Sequence, residues 1–311
     1  MATKLNIEDT SLSITALPDL NAYVIGYYVE SGKVLNGSIN CAYSTSTGSI
    51  TNFGNQWVDI SSGGSFSAPR LAYMPLGGGT VGRLFATWNE NGAIVIGELQ
   101  IVRDAGGVIS VTAILQKKSL AGCTTNYDPA IAVVGNLVIV AYQQTDNSLN
   151  IAVSNDVVAQ PGTFTFASVG RLGENTCAGP ALTAVPGGQV AVAWKGFDSA
   201  ANTANSDISV ATYSVGSNAQ LSKTSMLGIT DDAPGLTFAN GELYLAFLQQ
   251  VNKHVCIWPQ TDWNRVNAGV LVAFTYAPPS LCAAADGSSL VLAWRGTDNP
   301  NNFAFVEFEG F

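Results

Sequence analysis

Val190-Ala191-Val192-Ala193-Trp194 is an apolar run that ends in a small residue followed by an aromatic, and close echoes of it recur along the chain. They are Val24-Ile25-Gly26-Tyr27, Leu84-Phe85-Ala86-Thr87-Trp88, Val138-Ile139-Val140-Ala141-Tyr142, Tyr244-Leu245-Ala246-Phe247 and Val291-Leu292-Ala293-Trp294. Their final aromatics stand at positions 27, 88, 142, 194, 247 and 294, so the successive steps are 61, 54, 52, 53 and 47 residues. Apolar runs of this length suit buried strands, and a near-constant interval of one supersecondary unit marks a repeat architecture.

Working outward from each echo exposes the rest of the unit. Upstream of five of the six lies a proline that opens a shorter strand, at Pro69, Pro129, Pro180, Pro234 and Pro279; the first unit has Leu12-Ser13-Ile14-Thr15 there instead. Proline is tolerated at the first residue of a strand, where the ladder needs no donor from it. Turn residues such as Gly135-Asn136, Gly187-Gly188 and Asn240-Gly241 join the two strands as hairpins. Downstream, a polar turn leads to a third alternating strand, as in Ile208-Ser209-Val210-Ala211-Thr212-Tyr213, and the middle repeats add a fourth, as in Phe164-Thr165-Phe166-Ala167-Ser168-Val169. Four antiparallel strands in about 50 residues describe one blade of a propeller.

The ends predict how the ring closes. Trp294 is followed by 17 residues, enough for a third strand but not a fourth, whereas residues 2–9 precede the first unit without a unit of their own. Lys4 to Ile7 is therefore expected to supply the outermost strand of the last blade, which removes an exposed edge. The expected fold is all-β: one six-bladed β-propeller domain over 1–311, with four antiparallel strands per blade. Its blades run over about 12–66, 67–123, 124–176, 177–230, 231–276, and 277–311 plus 1–9. The chief rival, a two-domain sandwich, leaves one aromatic per period without a reason.

Composition narrows the partners. Thirteen basic against 22 acidic residues give a net charge of -9, which opposes the phosphate neutralisation that nucleic acids and anionic membranes require. No apolar run reaches the length of a membrane span, and the first residues carry no signal-peptide core, so the expectation is a soluble protein, cytoplasmic or released by a non-classical route. The five cysteines are odd in number and share no close spacing, so free thiols are expected, with no metal site and no cofactor.

In an up-down-up-down blade, the first strand starts and the second ends on the same face of the disc. That face collects the strand-opening prolines, the aromatics and the turns after them. Candidate ligand-binding residues there are Trp88, Glu90, Tyr127, Asp128, Tyr142, Trp194, Lys195, Asp232, Trp294 and Arg295. The aromatics have two readings: packing between blades, or stacking platforms for sugar rings, with carboxylates and amides binding hydroxyls. Asp146, Asp198 and Asp298 suit tight turns, because Asp bonds its own backbone. Asp128 and the Asp231-Asp232 pair precede innermost strands, where side chains reach the channel mouth; as a catalytic alternative, Asp128 and Asp232 with Arg70 or Arg295 would work on a glycosidic bond.

The unit Pro-Ala-Leu, a hairpin, then Ala-Val-Ala-Trp-Lys-Gly-Phe-Asp (191–198) or Leu-Ala-Trp-Arg-Gly-Thr-Asp-Asn (292–299) resembles the repeats of sialidase-like and lectin-type six-bladed β-propellers. The resemblance implies that fold, without the complete sialidase residue set. With no histidine relay or nucleotide loop, the expected function is non-catalytic, lectin-like carbohydrate binding, the partner being a glycan or another small molecule. A glycoside-processing enzyme with a central-channel site and a protein-interaction scaffold stand as alternatives, and a homo-oligomer is left open.

Overall fold

The computed structural model describes residues 12–31, 34–44, 50–59, 67–77, 81–105, 109–160, 163–230, 232–250, 252–263, 270–275, 277–285, 287–295 and 303–309. Each repeat forms its own antiparallel sheet whose strands lie side by side in chain order. The first sheet is β1 (Leu12–Leu17), β2 (Ala22–Ser31), β3 (Val34–Ser44) and β4 (Ile50–Asp59); the second is β5 (Arg70–Met74), β6 (Arg83–Glu90), β7 (Ala93–Arg103) and β8 (Ile109–Thr124). The third is β9 (Ala130–Val134), β10 (Leu137–Gln143), β11 (Ser148–Ser154) and β12 (Phe166–Asn175), and the fourth is β13 (Ala181–Val185), β14 (Gln189–Asp198), β15 (Thr203–Ser214) and β16 (Gln220–Met226). The fifth is β17 (Gly235–Ala239), β18 (Glu242–Leu248), β19 (His254–Pro259) and β20 (Val270–Phe274). The sixth has three strands among the described residues, β21 (Ser280–Ala283), β22 (Ser289–Arg295) and β23 (Phe303–Glu309). The strand expected from Lys4 to Ile7 lies outside the described residues, as do Asp231, Asp298 and Asn299. Among the described residues, no helix is long and apolar enough to cross a membrane.

The hairpins form where the sequence supplies their turns. Asn240 and Gly241 adopt φ of 50° and 83°, as a two-residue primed turn requires, and join β17 to β18 with Ala239 opposite Glu242. The innermost strands lie against one another in the order β1, β5, β9, β13, β17 and β21, and β21 also lies against β1.

Strand alternation explains the small-aromatic motif. In β14, Val190, Val192 and Trp194 face the third sheet and join its Ile139 and Ile151 in one apolar layer, whereas Ala191 and Ala193 face the fifth sheet and receive its Leu245 and Phe247. The small side of the strand lets the next sheet approach; the large side fills the gap to the previous one. The same division puts Trp88 against Leu17 and Val24 of the first sheet, and Tyr142 against Phe85 and Ile96 of the second. Tyr27 packs with Cys282 and Val291 of the sixth sheet, and Trp294 is half-buried against the layer shared by the fifth and sixth.

Candidate functional site

Residues of β1, β5, β9, β13, β17 and β21 line a narrow channel of about 70 Å³, whose wall combines aliphatic side chains such as Ile14, Leu71 and Ile131 with the polar side chains of Ser13, Arg70 and Ser280. At one end it meets a larger cavity of about 530 Å³, and Arg70 lines both. This cavity is bounded by the loops that run from the outermost strand of one sheet to the innermost strand of the next. Asn126, Tyr127 and Asp128 come from the loop before β9, Cys177, Ala178 and Gly179 from the loop before β13, Asp232 and Ala233 from the loop before β17, and Pro278 from the loop before β21; Lys195 reaches it from β14.

One threonine organises each of these four loops. Thr125 Oγ1 donates to the Tyr127 carbonyl at 3.0 Å and accepts from the Tyr127 N–H at 3.1 Å, and Thr176 does the same for Ala178, Thr230 for Asp232 and Thr275 for Ala277. All four threonines are buried, so the turn is closed by bonds that do not compete with water. Each stands four residues before a strand-opening proline, at Pro129, Pro180, Pro234 and Pro279. The three residues between threonine and proline differ from loop to loop, and they furnish most of the cavity wall. This Thr-x-x-x-Pro spacing is the sequence signal that identifies Asn126 and Cys177, which reasoning from the aromatics and acidic turns missed. Replacing Thr230 by Val is expected to cost about 1–3 kcal/mol in denaturant unfolding, because it strands the Asp232 N–H, while Thr230→Ser should retain most of the stability.

Charge in the cavity is mixed. Arg70 donates through Nη2 to Asp128 Oδ2 at 3.3 Å and through Nη1 to the Leu12 carbonyl at 3.1 Å, which ties the first three sheets together at the mouth. Asp232 accepts from the Ala233 N–H at 2.8 Å through Oδ1. Burial pushes the Asp232 carboxyl above the ordinary carboxylate range; the Ala233 N–H and the charges of Lys195 and Arg70 pull it back, and the nearby Asp128 adds to the rise. The Cys177 thiol donates to the Gly196 carbonyl at 3.1 Å, and burial raises it above the ordinary thiol range against the pull of Lys195. Tyr127 is 40% exposed, and desolvation of its hydroxyl followed by the Cys177 charge raises its phenol. Among the described residues, no three His, Cys, Asp or Glu side chains group as metal ligands do.

Gly179 lets two of the loops meet. A Cβ on it would stand 2.6 Å from the Asp128 carbonyl oxygen, a contact with backbone that no rotamer relieves. Gly179→Ala is expected to push aside the loop carrying Asp128 and to cost about 1–3 kcal/mol, read by thermal or denaturant unfolding.

Of the candidates drawn from the sequence, Arg70, Tyr127, Asp128, Lys195 and Asp232 come together in this cavity. Trp88, Tyr142 and Trp194 do not: each is at most 1% exposed, so no ring face is open to a sugar, and their role is to fill the layers between sheets. Glu90 turns to Lys117 at 2.6 Å, and the Lys117 ammonium lies 5.5 Å from the Trp88 ring; Lys223, paired with Glu174, covers Trp194 in the same way at 5.4 Å. Trp294 is half-buried, Arg295 is buried, and neither lines the cavity. Asp146 accepts from the Ser148 N–H and Asp198 from the Ala200 N–H, both closing their own turns.

No protein-family profile matches the sequence, and no curated protein matches it. Solved structures do match in shape. YjhT superposes with a TM-score of 0.51 at 9% identity, over 98% of this chain and 96% of that one. An α-L-arabinofuranosidase from Podospora anserina, in complex with cellotriose, gives 0.50 at 8% identity over 99% and 96%. An Aleuria aurantia lectin mutant in complex with α-methyl-L-fucoside gives 0.48 at 13% identity over 84% and 76%. The fold is accordingly all-β and propeller-like.

Proposed function

We propose that the chain is a six-bladed propeller that binds a saccharide at the mouth of its central channel. The blades would follow the limits expected from the sequence, with Lys4 to Ile7 as the fourth strand of the last one. Six sheets, an apolar layer between each neighbouring pair and the approach of β21 to β1 support that ring.

The observation that carries the binding reading is the convergence of Arg70, Asn126, Tyr127, Asp128, Lys195 and Asp232 on one cavity of about 530 Å³. The volume is within the usual range for small-ligand sites, about 300–1,000 Å³. Its polar groups are donors and acceptors of the kind that bind hydroxyls, and Tyr127 offers the exposed ring that the buried tryptophans cannot. A glycan array followed by calorimetry on the hits tests this. Binding weakened by Tyr127→Ala supports it; no retention of any glycan at millimolar concentration removes it.

A second reading is favoured by the unlike settings of the two carboxyls. Asp128 is held by the Arg70 guanidinium, whereas burial keeps the proton on Asp232 to higher pH. Such a pair suits glycoside hydrolysis: Asp232 would protonate the leaving oxygen as the C–O bond breaks, and Asp128 would take the proton of the attacking water. Release of nitrophenol from a panel of nitrophenyl glycosides, lost in Asp232→Asn, is the corresponding assay; an inert panel excludes it.

A further inference from the structure

We infer, on the basis of the saccharide-binding reading, that the site takes a glycan by a terminal unit and not along its length. Four of the groups able to bind hydroxyls are recessed and stand on several sides of the cavity, whereas Asn126 and Tyr127 are exposed. Arg70 and Asp128, on the side of the second and third sheets, have side chains only 14% and 19% exposed. Lys195 comes from the fourth sheet and Asp232, half-buried, from the loop leading into the fifth.

A unit that engages all of these is surrounded laterally by the loops that carry them. Below it, the channel narrows to about 70 Å³, which is room for a few waters but not for a sugar ring. A polysaccharide therefore cannot thread through the disc. An internal unit, substituted on two sides, would have to lift off the recessed groups to clear the loops. A terminal unit has one substituent and can direct it past Asn126 and Tyr127, the exposed side chains of this set, into solvent.

The test is a glycan array built in pairs. In one set the members differ only in the terminal unit; in the other they share the terminal unit and differ only in internal units. Hits are quantified by calorimetry, with maltohexaose and cyclomaltohexaose as an added pair with and without ends. The expected result is a loss of about tenfold or more when the terminal unit is changed and less than about threefold when internal units are changed. Binding that follows the internal units, that strengthens with each added repeat, or that is as tight for the cyclic as for the linear glucan overturns the inference while leaving saccharide binding intact. An array on which nothing binds removes the saccharide reading itself and the inference with it.

Discussion

Replacing Asp232 by Asn is expected to raise the melting temperature at neutral pH and to weaken saccharide binding, opposite changes from one side chain. Burial lifts the folded-state carboxyl above the range it has in the unfolded chain. Between those two ranges the folded protein holds a proton that the unfolded chain has released. Stability therefore falls as pH rises through that window and stays lower above it. Asn keeps the acceptor for the Ala233 N–H but carries no charge, so it escapes this loss. A gain in stability is expected at neutral pH, read as a small rise in melting temperature, since a chain of 311 residues shifts only about 1–2 °C per kcal/mol. At about pH 3, where both forms are neutral, the two proteins should melt together. Binding should weaken by at least about tenfold, through loss of a charged acceptor. Equal melting temperatures at both pH values would show that ionising Asp232 costs the folded state nothing.

Arg83→Ala is expected to have the larger effect on stability. Arg83 makes two parallel bonds to Glu98, Nε to Oε1 and Nη2 to Oε2, each of 2.7 Å; its Nη1 donates to the Val157 carbonyl, and its guanidinium lies 5.2 Å from the Phe85 ring. Arg83 and Glu98 belong to the second sheet and Val157 to a turn of the third, so one side chain joins two sheets. Truncation leaves Glu98, only 6% exposed, as a buried charge without its partner. The expected cost is about 3–5 kcal/mol. Arg83→Met combined with Glu98→Met should recover most of it, because a buried pair replaced by apolar groups of similar size is often near neutral. Denaturant unfolding of Arg83→Met, Glu98→Met and the double variant provides the cycle, and a loss of under about 1 kcal/mol for Arg83→Ala alone would refute the buried-charge account.

The sheets were legible because one residue pattern does two jobs in every unit. Small residues on one side of β14 and an aromatic on the other are both demanded by stacking sheets, so the motif repeats with the sheets, and its spacing discloses them. The same logic hid the fate of the aromatics. A residue that recurs once per sheet to fill a layer looks the same in sequence as one that recurs to present a platform, and only burial separates Trp194 from Tyr127. Asp128 and Asp232 could be assigned to the mouth because proline fixes where each innermost strand begins. Asn126 and Cys177 were missed, since the signal that places them, a threonine four residues before the proline and bonded within its own turn, has no hydrophobic period. Glu90 was misread for a related reason: its partner Lys117 lies two strands away on β8, at a distance in sequence that no local pattern encodes.

The layer between the first and sixth sheets has a consequence for synthesis on the ribosome. The Ile14 N–H donates to Ser280 Oγ at 3.1 Å and the Ala285 N–H to Tyr23 Oη at 3.1 Å, contacts that span 266 and 262 residues. One apolar side of the first sheet must therefore wait, wet and adhesive, until the segment around Ser280 and Ala285 has emerged. Contacts of such long range are slow to form, and the surface they leave uncovered is where a nascent chain aggregates or recruits a chaperone.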